Sequence, residues 1–504
     1  MSRNAARDAR GKSDDCVVPQ RPANEGPHRR GDGGPEEPEE GRRSTKGNAA
    51  QDAAPRTQDR TRASIGLRGV REAARRDRRA RFTSLLHHVT VETLRESFYS
   101  LKKRAAPGVD GQTWQEYREG LEGRLADLCD RVHRGSYRAQ PSRRVYILKT
   151  DGRQRPLGVA ALEDKIVQHA VVGVLSAVYE EDFLGYSYGF RPGRGQHDAL
   201  DALWVGLDRK KVNWVLDADI RGFFDTLDHG WLMKMVEHRI ADPRVLRLVR
   251  KWLRAGVLEE GRWSETVVGT PQGAVISPLL ANVYLHYVFD LWAEAWRRQK
   301  ATGDMIVVRY ADDFVLGFEN REDAERFLRT LHVRFERFGL ALHPEKTRLI
   351  AFGRRALDPR GDRDDDGSGP GTFDFLGFTH SCGRSRRGKF LVKRETVTKR
   401  FRATLRTVKE RLVAGRHRPV REQGRWLRKV MQGWMGYHAV PGNLPRVRAF
   451  CKEVARHWRM ALRRRSQRGR LLLVRFETIA RCWLPPPRVL HPWPNQRFDA
   501  RYLR

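Results

Sequence analysis

The apolar positions change their period along the chain. From about residue 80 to 378, short runs rich in Val, Ile, Leu and Phe alternate with stretches whose apolar residues recur at helical spacing. That alternation predicts an α/β or α+β body. Order is expected to begin near residue 80, at "RFTSLLHHVTVETLRESFYSLKK". In "MIVVRYADDFVLGF" (305–318), β-branched and aromatic residues flank Asp312 and Asp313, which predicts two antiparallel strands with the acids at a tight turn. "NWVLDADIRGFFDTLDH" (213–229) begins as a strand and breaks at Gly222. Within it Asp217 and Asp219 alternate with apolar neighbours and so share one face. Beyond residue 380 the pattern turns helical: Val397, Phe401, Leu405, Val408 and Leu412 predict a helix with an apolar face and a basic one.

Composition adds two boundaries. Residues 1–50 contain no Leu, Ile, Phe, Trp or Tyr. Such a segment buries too little apolar surface to offset its ordering entropy, and a disordered tail is expected over residues 1–75. "RALDPRGDRDDDGSGPG" (355–371) reads as an exposed loop. Its Asp362, Asp364 and Asp366 imitate a calcium loop, but the twelfth position holds Phe373 rather than Glu, which rejects that reading.

Charge points to the partner. The chain of 504 residues carries a net charge of +36. Residues 381–504 hold 34 Lys and Arg against 6 Asp and Glu, a net of +28, so most of the excess lies in the last quarter. A polyanion is implied, with nucleic acid ahead of an anionic membrane surface. No apolar run is long enough to span a bilayer, and the N-terminus lacks the apolar core of a secretory signal. Five scattered cysteines (Cys16, Cys129, Cys382, Cys451, Cys482) fit neither a zinc module nor a disulfide framework and suit a reducing cytosol.

The acids are the candidate chemistry. Taken alone, "YADD" is equally compatible with an ordinary Asp-rich turn. If the strand through Asp219 lies beside the 307–316 hairpin, however, Asp219 approaches Asp312 and Asp313. Clustered carboxylates stay ionised only with a compensating cation. Hard oxygen ligands suit Mg²⁺, and two such ions can clamp the attacking and leaving oxygens of a phosphoryl displacement.

Eight blocks in order carry a resemblance: "APGVDG" (106–111), "YILKTDGRQRPLGVAALEDKIVQHAV" (146–171), "GFRPGRGQHDAL" (189–200), "DADIRGFFD" (217–225), "GTPQGAVISPLLANVYL" (269–285), "YADD" (310–313), "GLALHPEKT" (339–347) and "FDFLGF" (373–378). Together they resemble a bacterial group II intron-encoded reverse transcriptase/maturase, over roughly residues 80–504. The resemblance implies an α+β right-hand polymerase. Fingers and palm would occupy 80–380, a helical basic thumb or maturase domain 381–485, and a C-terminal tail 486–504.

The resemblance also implies roles. Asp219, Asp312 and Asp313 would be the metal-binding and catalytic carboxylates, with the Ile220 carbonyl as a further ligand. Asp217 and Asp225 are expected to cap or support. Lys149 and Arg155 flank the turn "TDGRQ"; by themselves they read as a solvated hairpin tip, whereas the family holds the incoming triphosphate there. Phe223 or Phe224 would lie beneath the sugar, with Phe224 preferred by its five-residue offset from Asp219. Gln272 and Gly273 would approach template–primer and nucleotide. Arg191 would contact template or stabilise the fingers. Arg463, Arg464 and Arg465, in "RRRSQRGR", would contact RNA, and "GWMGYHAVPGN" (433–443) carries the maturase likeness.

The expected cofactor is Mg²⁺, two ions, with Mn²⁺ as a substitute. The expected partners are group II intron RNA, an RNA template with DNA primer, and dNTPs. No membrane is expected, and the expected location is the bacterial cytoplasm, associated with the nucleoid or a ribonucleoprotein. The last residues lack the cysteine-paired endonuclease pattern of many relatives, so second-strand cleavage is not expected of this chain. Two rivals remain open: a splicing-only maturase, and a reverse transcriptase recruited to another role.

Overall fold

The computed structural model describes residues 57–148, 154–259, 262–264, 269, 273–358, 370–465 and 471–502. A four-stranded antiparallel sheet forms its centre, in the order Met305–Tyr310, Asp313–Phe318, Trp214–Asp219, Arg348–Ala351. Alternate residues enter two different cores. Trp214, Leu216, Phe314, Leu316 and Phe318 face one, with helices Leu162–Asp182, Ser277–Leu285 and Arg321–Arg337. Val215, Val315, Ile306 and Val308 face the other, beneath helix Gln196–Arg209. Burial on both faces explains why these strands read as near-continuous apolar runs. Truncating a side chain such as Leu316, fully buried, would cost about 2–5 kcal/mol.

A second sheet runs Gln154–Val159, Ser142–Leu148, Val257–Glu259, Arg262–Ser264. A third joins Phe390–Thr396, Phe378–Arg384 and Phe373–Phe375. Helices Thr398–Ala414, Val420–His438 and Leu444–Arg463 then enclose a separate core. The 397–412 periodicity is realised there: Phe401, Leu405, Val408 and Leu412 are buried. Trp434 stacks on Phe450 with ring centroids 3.9 Å apart, so it anchors this core.

Three expected boundaries are corrected. The tail expected over 1–75 overlaps a helix, Thr57–Arg76. Its Leu67, Val70 and Ala74, spaced at three and four residues, pack onto the main core; a sparse apolar seam outweighs the polar composition. The division at 380/381 cuts through strand Phe378–Arg384, whose neighbour Phe390–Thr396 leads into the first basic helix at Thr398. The C-terminal tail is also structured. Helix Pro494–Tyr502 returns to helix Gln196–Arg209, burying Phe498 and pairing Arg497 with Asp201 and Arg501 with Asp198. The basic composition of 486–504 masked that return, since its arginines meet acids that lie far away in sequence.

Candidate active site

The sheet register brings the acids together. Asp219 ends its strand directly opposite Asp313, and Tyr310 pairs with Asp313 across a two-residue turn made of Ala311 and Asp312. Carboxylate oxygens of Asp219, Asp312 and Asp313 all lie within 4.8 Å of one another, at half-buried positions. Asp219 and Asp313 share the face of Val215 and Val315 by the two-residue strand period. Three hard, anionic oxygen donors at this spacing fit a divalent cation such as Mg²⁺.

The turn itself is strained and held. Ala311 has φ +58°, as a two-residue hairpin of the primed type needs, at a cost of about 1–2 kcal/mol for a residue with a Cβ. Arg309, fully buried, secures it. Its five N–H donors are all engaged: Nε and Nη2 on the Asp290 carboxylate (2.7 and 2.5 Å), Nη1 on Asn282 Oδ1 and the Ala311 carbonyl (both 3.0 Å), and Nη2 on Ser187 Oγ (2.7 Å). The Asn282 amide in turn donates to the Gly189 carbonyl at 2.7 Å. Gly189 must be glycine, because a Cβ there would meet the Tyr310 carbonyl carbon at 2.9 Å and collide with the Ala311 amide.

Strand Trp214–Asp219 gives way to the left-handed Gly222 (φ +57°), which opens the short helix Phe223–Thr226. The two phenylalanines then separate. Phe223 is buried and packs edge-on against Tyr284, which corrects its place among the nucleotide-contacting candidates: the core claims its ring. Phe224 is half-buried. Gly269 (φ +90°) lies against both following carbonyls, since a Cβ there would sit 2.8 Å from Phe224 O and 2.9 Å from Asp225 O. Gly273 abuts the Gly158 carbonyl in the same way.

Arg191, expected to contact template or to stabilise the fingers, lies in the supporting position. It is buried, pairs with Glu180 at 2.9 Å, and donates to the Leu184 and Ser187 carbonyls. Burial lowers its pKa to about 10, and neighbouring Arg194 adds to that shift. The guanidinium closes the loop after helix Leu162–Asp182 and is nearly shut off from solvent. Arg463 and Arg464 are exposed, whereas Arg465 is half-buried and donates to the Arg418 carbonyl. Lys149, Gln272 and the 362–366 acids lie outside the described residues. Arg155 stands opposite Ile147 in the strand pairing; its side chain is likewise outside them. Ile220 has a buried side chain and follows directly on the strand of Asp219.

Two groups escaped the reading of the sequence. Lys346, in "GLALHPEKT", donates its ammonium to Asp219. Arg309, in "VVRYADD", could have been noticed as a cation flanked by apolar residues in a strand, a place that demands a buried partner. Asp217, by contrast, pairs across the sheet with Arg348 at 3.6 Å, and burial raises its pKa to about 6.

Comparison with known proteins meets this geometry. Residues 147–380 match the reverse transcriptase (RNA-dependent DNA polymerase) family, so this chain carries a reverse transcriptase domain. Its relatives narrow the class. The chain is 37% identical over 248 residues to protein YkfC of Escherichia coli K12, covering 43% of this chain and 64% of the relative. It is 36% identical over 192 residues to the group II intron-encoded protein LtrA of Lactococcus lactis subsp. cremoris, covering 38% of this chain and 31% of LtrA. It is 39% identical over 170 residues to an uncharacterized 91 kDa protein in the cob intron of Schizosaccharomyces pombe, covering 33% and 21%. The domain is thus homologous to those of group II intron-encoded proteins, and the chain spans less than two thirds of each of these relatives. Among the described residues, no helix is long and apolar enough to cross a membrane.

Proposed function

We propose that this chain is an RNA-directed DNA polymerase of a group II intron, and that it also binds the intron RNA to assist splicing and mobility. The convergence of Asp219, Asp312 and Asp313 at one end of the central sheet carries this reading. Asp219, Asp312, Asp313 and the Ile220 carbonyl would hold two Mg²⁺ ions, for which Mn²⁺ can substitute. Bound there, the metal supplies Lewis-acid stabilisation of the attacking and leaving oxygens. The reaction is attack of a primer 3′-hydroxyl on the α-phosphate of a dNTP, with release of pyrophosphate.

The chain's own groups position the reactants. The hairpin turn presents Asp312 and Asp313 toward Asp219, and Arg309 keeps that turn from relaxing. Lys149 and Arg155 neutralise the triphosphate, Gln272 approaches the nucleotide, and Phe224 flanks its sugar. The basic helices after Thr398, with Arg463 and Arg464, grip RNA through phosphate and 2′-hydroxyl contacts. The setting is the bacterial cytoplasm, in a ribonucleoprotein.

The test is primer extension on oligo(dT)-primed poly(rA) with dTTP and Mg²⁺, beside an Asp312→Ala/Asp313→Ala double variant. Extension lost only in the variant supports the polymerase. Tight RNA binding without extension by the wild-type protein would sink it and leave a splicing-only maturase.

A further inference from the structure

Phe190 is out of place for a residue that serves only the fold. It sits at φ +58°, a left-handed conformation that is an outlier for a bulky aromatic residue. Its side chain gains nothing visible in exchange: it is 41% exposed, and among the described residues it joins no apolar cluster and no aromatic pair. Strain of this kind persists only where the surroundings over-determine it. Here they do. Gly189 is wedged against the peptide of Tyr310 and Ala311, and Asn282 holds the Gly189 carbonyl. On the other side the buried Arg191 and Arg194 tie the loop to the carbonyls of Leu184, Gly185 and Ser187.

The loop therefore lifts a phenyl ring one residue, about 3.8 Å along the chain, from backbone in contact with the catalytic turn. A ring there borders the site of the proposed reaction. It carries no charge for phosphate, and it suits a sugar or a base face, which every nucleotide offers. The A-form hybrid of template and primer presents sugars and base edges along a wide, shallow minor groove.

Resting on the polymerase reading, we propose that Phe190 is a nucleic-acid contact, seated against a sugar and base edge of the template–primer hybrid beside the turn Ala311–Asp312. Nucleotide identity plays no part in the contact, so it serves every cycle of addition.

The test measures binding of the full chain to a fluorescent RNA–DNA primer–template without dNTP, for the wild type and for Phe190→Gly, Phe190→Ala and Phe190→Tyr. Glycine removes ring and strain together, whereas alanine removes the ring and keeps the strain. Both are expected to weaken hybrid binding about 10-fold, the scale of a single base–aromatic stack, while tyrosine stays near wild type. The thermal midpoint of Phe190→Gly should equal or exceed that of the wild type. Unchanged affinity in Phe190→Gly overturns the proposal. So does a fall of several degrees in its midpoint, because the ring would then be part of the fold. Binding needs no turnover: a wild-type protein that binds the hybrid yet extends no primer sinks the polymerase reading and leaves the Phe190 contact standing.

Discussion

Arg309 and Asp290 form a fully buried ion pair directly behind the hairpin turn that carries Asp312 and Asp313. Two hydrogen bonds join them, and a third from the same guanidinium reaches the Ala311 carbonyl. A buried pair is weak evidence of net stability, but removing one partner strands a charge. Arg309→Met should therefore destabilise the protein by roughly 3–5 kcal/mol. Asn282→Ala, which loses only one acceptor for Arg309 and one donor to Gly189, should cost about 1–3 kcal/mol and loosen the turn. Denaturant titration measures the first quantity. The same titration measures the cost of Asn282→Ala; the Mg²⁺ concentration for half-maximal extension by that variant reads the loosening, and an unchanged value would mean that the network does not position the acids.

Asp313→Asn keeps shape and register and removes one anionic ligand. DNA synthesis should fall by roughly two to three orders of magnitude, the range seen when a single charge-stabilising group is lost from an active site. Intron RNA binding should be largely unchanged, because it is assigned to the basic helices after Thr398. Filter binding and primer extension on the same preparation separate the two. Equal loss of both would contradict the division of labour between sheet and helices.

The acidic constellation was legible because strand period and tight turn are both local signals. "VVRYADDFVL" announces a hairpin, and the period of two aligns Asp219 with its face. Neither Arg309–Asp290 nor Lys346–Asp219 was legible, since each joins residues at least 19 positions apart and no local pattern encodes the partner. Arg191 is a nearer case: template contact and support of the fingers were both open in the sequence, and its closure on Glu180, 11 positions away, favours support. Between Phe223 and Phe224 the sequence offered only the five-residue offset that favours Phe224. The short helix after Gly222 separates them, by turning one ring inward and leaving its neighbour half-buried.

The C-terminal helix clamps two acids of helix Gln196–Arg209. Asp201 receives both Arg497 and the buried Arg394 from strand Phe390–Thr396. Asp201→Ala leaves Arg394 without its carboxylate and should cost about 3–5 kcal/mol. Removing 494–504 leaves the Arg394–Asp201 pair in place, so it should cost less than Asp201→Ala while exposing Phe498's site. Thermal unfolding of both variants ranks them, and the reverse order would show that the helix, rather than the ion pair, ties these elements together.

RNA binding should weaken steeply with salt, because each phosphate neutralised releases counterions. The slope of log affinity against log salt shrinks by about 0.7–0.9 for each phosphate that is no longer neutralised. Arg463→Ala and Arg464→Ala, at exposed positions, should each reduce the slope by about that amount. An unchanged slope would place the RNA elsewhere on the basic helices.

Acid should destabilise the fold through its buried histidines. Burial pushes His438 down to about 3 from the ordinary 6.5, and Arg400 adds to the shift; His380 is likewise pushed down to about 3, by burial first and Arg394 second. Both are neutral in the folded chain and take up a proton on unfolding anywhere between those limits. The unfolded state then binds more protons, so stability is fully present above pH 6.5 and is lost as pH falls toward 3. Each histidine contributes a slope of at most about 1.4 kcal/mol per pH unit. His438 packs at a tilt against Trp434 and lies beside the Thr396 hydroxyl, at the junction of the third sheet and the basic helices. His438→Asn should therefore flatten the dependence of thermal midpoint on pH between 4 and 6.5, while lowering the midpoint at pH 8 through poorer packing. A slope that persists undiminished would mean that His438 is protonated in the folded chain.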